Sequence, residues 1–188
     1  SAFGADAVAA MGITQKIYMV PMYVCTGMSQ GIMPLVSYNY ASGNQKRMRS
    51  AVVFTGTVSI GFITAAALFF YVGAEGVVRF FMDNPSIIAY GIRFLRGFCL
   101  GLPFLCMDFL AVGVFQALGY GKNALVFAIM RKIVLEIPAL YLLNYLFPLY
   151  GLAYAQFAAE FVLAVAAVIE LFLIFRRLGR KEAYVEDV

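Results

Sequence analysis

Hydrophobic positions in this chain fall in five long blocks, residues 8–40, 51–72, 87–118, 124–147 and 151–175, parted by short polar stretches. A helix that crosses a bilayer needs about 20 mostly apolar residues. Each block therefore predicts one membrane-spanning helix. The second, fourth and fifth have the right length. The first and third are too long for one straight span, yet neither holds the polar turn that two antiparallel spans require. Both contain helix breakers, Pro21 and Pro34 in the first, Gly101 and Pro103 in the third, so the pattern predicts kinked helices. Gly27 with Gly31, and Gly97 with Gly101, give two small-x-x-x-small faces suited to close helix approach. Residues 176–188 form a charged tail.

The polar stretches carry the charge unevenly. Lys46, Arg47 and Arg49 follow the first block, Lys122 follows the third, and Arg176, Arg177, Arg180 and Lys181 follow the fifth. If five spans alternate, these eight fall on one side. The other side holds Arg79 with Asp6, Glu75 and Asp83, and an uncharged turn at residues 147–150. The bias predicts a cytoplasmic C-terminus and an outside start at Ser1. It also predicts an upstream helix, and so a C-terminal portion of a larger protein.

Composition agrees. Of 188 residues, 63% are hydrophobic and 13% charged, far from the balance of a soluble domain. The net charge of +4 reads as loop bias, not as a nucleic-acid surface. Histidine is absent, which removes Ser-His-Asp and Cys-His catalysis and most zinc and haem enzymes. Cys25, Cys99 and Cys106 lie inside apolar blocks without metal-ligand spacing.

Several motifs occur together. They are Gly4-Ala5 through Ala9-Ala10; then Gly31, Pro34, Tyr38, Asn39 and Tyr40; then Asn44 and Arg47 in the loop. Further on come Phe115-Gln116-Ala117-Leu118-Gly119 with Gly121-Lys122, Ile137-Pro138, and the run from Gly151 to Glu160. As a set they resemble the C-terminal half of the multidrug and toxic compound extrusion (MATE) transporters, across nearly the whole chain. Ala41-Ser42, Tyr120 and Phe157 depart from that pattern. The resemblance implies twelve helices in two six-helix lobes around a central cavity. This chain would supply helices eight to twelve, an all-α lobe of five transmembrane helices at residues 1–175. Its partners would be membrane lipids, the N-terminal lobe and helix seven.

Ionisable groups inside membrane segments are expensive and mark pathways or partners. Asp108 sits mid-block with no basic residue one turn away, beside the Gly101 and Pro103 break. Burial disfavours its charged form and a bound cation restores it, so Asp108 is the candidate for cation coupling and for an Na⁺ ligand; the bland alternative is a protonated structural Asp. Glu160, with Gln156 one turn before it, is the candidate substrate contact, or an interhelix bond. Lys132 and Glu136 are spaced for a structural ion pair. Arg131 is expected to snorkel or close a gate, and Lys16, Arg93 and Arg96 to anchor at interfaces. Tyr38, Asn39 and Met28, with Tyr18 and Tyr23, are candidate lining for a flat organic cation.

The resemblance implies a secondary antiporter that exports organic, often cationic, compounds against Na⁺ or H⁺, with no other cofactor. A lipid-linked oligosaccharide flippase needs clustered interior basic residues, which are few here. A membrane enzyme lacks a nucleophile motif. An inactive fragment with a structural role remains the plainest alternative.

Overall fold

The computed structural model describes residues 4–146 and 151–186. The uncharged turn at 147–150, the start at Ser1 and the last two residues of the tail lie outside them. Every regular element among the described residues is helical. They are α1 (Ala5–Ala41), α2 (Gln45–Val72), α3 (Ala74–Phe81), α4 (Pro85–Ala117) and α5 (Gly121–Ile129), then a π-helix (Met130–Glu136), α6 (Ile137–Leu146) and α7 (Gly151–Glu186).

The boundaries follow local chemistry. Pro21 and Pro34 stay inside α1. The helix ends at a turn through Gly43, whose φ of 73° suits a residue without a Cβ. Asn44 then caps α2, its side chain accepting from Arg47 N–H at 3.1 Å. Asn84 caps α4 the same way through Ser86 N–H, with Pro85 at the first helical position. Gly119, φ 80°, turns the chain between α4 and α5.

Helix α4 is the axis of the lobe and packs against α1, α2, α3, α5 and α7. Its glycines are the seats for its neighbours. A Cβ at Gly97 would stand 2.6 Å from that of Ala153 on α7, and Gly101 faces the Phe157 backbone. Gly113 admits Ser29 of α1, whose hydroxyl donates to Phe109 O at 2.6 Å. Ser37 donates to Ala117 O at 3.0 Å further along the same seam. In an apolar surround such interhelix bonds replace the missing hydrophobic drive. One expectation changes here. The other small face, Gly27 and Gly31, has no neighbour within 4 Å of either Cβ position; it is an open face among the described residues.

Two elements depart from the hydropathy pattern. The polar stretch between blocks two and three holds α3, whose Phe80 and Phe81 are exposed while Ala74 and Val78 are buried. The fourth block is divided by the π-helix into three short pieces. Helix α7 also continues to Glu186, past the apolar run. Among the described residues, three helices are long and apolar enough to cross a membrane: α2, α4 and the Ala153–Gly179 stretch of α7. Helix α1 is interrupted by polar residues such as Thr14, Gln15 and Lys16, and the fourth block by its change of helix type.

Candidate functional site

Four elements bring polar side chains into the apolar interior of the lobe. Asp108 comes from α4, Glu160 and Gln156 from α7, Tyr18 from α1, and Arg131 from the π-helix. Asp108 and Glu160 are each 2% exposed.

The expectation of a lone Asp108 does not hold. Arg131 Nη1 donates to Asp108 Oδ2 at 3.2 Å, and its guanidinium lies 4.6 Å from the centroid of the Phe109 ring. Arg131 therefore turns inward and does not snorkel. The physical reason is the cost of an unpaired ion in a low-dielectric interior, which a partner on another helix relieves. Helical spacing along α4 could not reveal that partner. The pairing is incomplete: Asp108 Oδ1 and Arg131 Nε are buried without a hydrogen-bond partner among the described residues. Asp108 thus keeps a free acceptor, which fits a proton or a hard cation such as Na⁺. Ser29, bonded to Phe109 O, holds α1 against the turn of α4 that carries Asp108.

Glu160 stands one turn beyond Gln156 on α7. Gln156 Nε2 donates to Tyr18 OH at 2.7 Å, which ties α7 to α1. Glu160 Oε2 is buried without a hydrogen-bond partner among the described residues. Glu160 lies within electrostatic reach of Arg131, Asp108, Glu136 and Lys132. Lys132 bonds Glu136 on its own helix, 2.7 Å from Oε2 and 2.9 Å from Oε1. With every group ionised, the five side chains carry three negative and two positive charges.

Tyr38 and Asn39 stand apart from this group. Tyr38 is 72% exposed, and Asn39 is buried with its amide donating to Leu35 O of its own helix at 2.7 Å. At about 1.5 Å per residue, Tyr38 and Asn39 lie roughly 30 Å along α1 from Tyr18, and Met28 roughly 15 Å. Tyr38 and Asn39 thus lie far along α1 from the Tyr18–Gln156 bond, while Met28 adjoins Ser29, which bonds the turn of α4 that carries Asp108. Tyr23 is exposed, and Tyr18 is buried against Phe98 with ring centroids 5.4 Å apart. Glu170 accepts from Asn123 of α5 at 2.8 Å, a structural bond.

Arg131 is the residue that sequence reasoning missed. A signal existed. A basic residue well inside an apolar block needs a counter-charge, and Asp108 and Glu160 were the two interior carboxylates without a local cation.

Comparison with known proteins shows what the chain as a whole is similar to. The MatE family model matches residues 1–142. The chain is 31% identical over 187 residues to a multidrug export protein, MepA, of Staphylococcus haemolyticus (strain JCSC1435), covering 99% of this chain and 41% of that protein. It is 28% identical over 176 residues to the MepA of Staphylococcus saprophyticus, with 94% and 39% covered. Among solved structures, an outward-facing multidrug resistance MATE family transporter of the MOP superfamily superposes with a TM-score of 0.89 at 19% identity, over 95% of this chain and 40% of that one. The Vibrio cholerae MATE transporter VcmN in its bent form gives 0.85 at 22%, over 96% and 40%. The chain spans about two fifths of the length of the curated relatives it matches.

Proposed function

The chain belongs to the MatE family, a family of multi-pass membrane transporters and not of enzymes, and on that premise we propose that the full-length protein is a secondary antiporter. It exports organic, often cationic, compounds, and the inward movement of Na⁺ or H⁺ drives the export. This lobe, at residues 1–175, packs beside an N-terminal lobe and a seventh helix, with its C-terminal tail in the cytoplasm. The basic stretches at residues 46–49 and 176–177 support that orientation.

One observation carries the reading: the two buried carboxylates, Asp108 and Glu160, share the interior with one guanidinium, that of Arg131, which reaches across to Asp108 on another helix. Lys132 and Glu136 neutralise each other locally. Asp108, Glu160 and Arg131 together are one positive charge short. A proton, an Na⁺ ion or an organic cation each supplies that charge, and only one is needed at a time. Competition for the vacancy gives exchange. It becomes transport when the cations bind the inward- and outward-open forms unequally. Asp108, with its free Oδ1, is the coupling carboxylate, and Glu160 with Gln156 is the substrate contact.

The test follows efflux of a fluorescent organic cation from proteoliposomes under imposed Na⁺ or proton gradients. Wild type, Asp108→Asn and Glu160→Gln are compared in the full-length protein. Gradient-driven efflux lost in Asp108→Asn, with folding and insertion intact, is the expected result. Glu160→Gln is expected to weaken substrate affinity more than ion dependence. Efflux indifferent to both gradients overturns the reading and brings the lipid-linked oligosaccharide flippase forward. Coupling that survives Asp108→Asn returns that residue to a structural role.

A further inference from the structure

At one end of the lobe the start of α2 crosses α7. Arg49 donates through Nη2 to the carbonyl oxygen of Phe175, and its guanidinium lies 5.6 Å from the centroid of that ring. Gln45 Nε2 donates to Leu178 O at 3.2 Å. A Cβ at Gly179 would stand 2.9 Å from Arg49 Nη2, so the glycine leaves the space the guanidinium fills. The crossing is thus a fixed seam, and Arg49 Nε is buried in it with no acceptor among the described residues.

Exposed basic side chains flank the seam. Lys46 and Arg47 stand on the first turn of α2, and Arg176 and Arg177 adjoin Phe175 on α7. The first turn of α2 holds no acidic residue to neutralise them. Directly along the helix from Arg49 and Ser50, a groove of about 570 Å³ runs past Val53, Phe54, Thr57 and Val58. Val53 is 65% exposed and Phe54 71%. A dense positive head continuous with an exposed apolar groove on a membrane helix matches one chemistry, an anionic head on a hydrocarbon tail.

We propose that this seam binds an anionic phospholipid. Its phosphate is held by Lys46, Arg47 and Arg176 above the pinned Arg49, and one acyl chain lies along Val53, Phe54, Thr57 and Val58. Arg49 is held in place by the Phe175 carbonyl and ring, so little side-chain freedom is lost when the phosphate arrives. A free phosphate ion would use the head alone. A lipid uses head and groove together, and the groove is what separates the two sources. The proposal does not depend on the transport reading.

The test uses the purified, delipidated full-length protein and native mass spectrometry with phosphatidylglycerol and phosphatidylcholine of the same chain length. Phosphatidylglycerol is expected to be retained selectively. Neutralising Lys46, Arg47 and Arg176 to Gln is expected to lower its affinity on the order of 100-fold, at about 1 kcal/mol per basic residue. Phosphatidylcholine binding should not move. Arg47→Lys should keep the selectivity. Phe54→Ser should weaken long-chain phosphatidylglycerol and spare a short-chain analogue. Equal retention of the two lipids, or a triple variant that binds as wild type, overturns the proposal. Displacement of the lipid by millimolar inorganic phosphate reduces the seam to an anion site and also overturns it. So does a photo-crosslinker at position 54 that labels another segment of the same protein and no lipid, for then the groove is an internal contact.

Discussion

Arg131 and Lys132 are neighbours on one π-helix, and each meets a carboxylate, yet the two ion pairs belong to different parts of the molecule. Lys132 reaches Glu136 on its own helix, with side chains 60% and 20% exposed. Arg131 reaches Asp108 on another helix, with side chains 18% and 3% exposed. The first pair is written in the spacing of one segment and could form in an isolated helix, where it is worth roughly 0.3–0.5 kcal/mol. The second exists only once α4 and the π-helix have packed, and breaking it strands a buried charge. The same division separates the two glycine faces. Gly97 and Gly101 are filled by α7, while Gly27 and Gly31, of identical spacing, face nothing among the described residues. A motif states what a helix permits, and the neighbour decides whether it is used.

The largest expected effect comes from Arg131→Met in the full-length protein, which leaves Asp108 buried without its cation. A loss of about 3–5 kcal/mol is expected, measured as thermal unfolding in detergent or lipid. Adding Asp108→Asn to that variant should restore most of it. A single variant that melts as wild type would place both ion pairs in one class. Next is Gly97→Ala, whose new methyl meets Ala153 and should cost about 1–3 kcal/mol through overpacking. Gly31→Ala should instead stabilise by about 0.5–1 kcal/mol through helix propensity. Equal and opposite results at the two positions sharpen the contrast, and destabilisation at both would show Gly31 packed in the full-length protein. Tyr18→Phe removes the hydroxyl that accepts from Gln156, at a cost of about 1 kcal/mol, seen in the same melting experiment. The smallest effect belongs to Lys132→Ala, under about 0.5 kcal/mol. A larger loss would mean that this local pair also serves the interior.

Much of the fold was readable because a bilayer leaves the chain few options. Backbone groups in hydrocarbon must be bonded within the segment, so long apolar blocks become helices. Helix α3 was not readable: it is short, it carries Glu75 and Arg79, and its apolar face shows only once it packs against α4, α2 and α1. The π-helix was hidden because its seven residues, Arg131, Lys132 and Glu136 among them, hold no proline or glycine to mark a change of helix type. Asp108, Glu160 and Gln156 stood out by being polar where polarity is costly. Tyr38 was chosen as an aromatic that could face a flat cation, and Asn39 as part of the family motif. The rise of α1 then carried them away from the Tyr18–Gln156 bond.

Sequence alone determined the helical membrane character of the chain, the ends of several of its long helices, and the short list of buried groups that need a partner. Each of these follows from local chemistry: apolar length, caps, breakers and the penalty on a buried charge. Tertiary structure alone decided which partner each group has, Arg131 for Asp108 and Tyr18 for Gln156, and which glycine face is filled. Those choices depend on the rotation and depth of one helix against another. Close packing of the lobe sets both, and no spacing within a single helix encodes them.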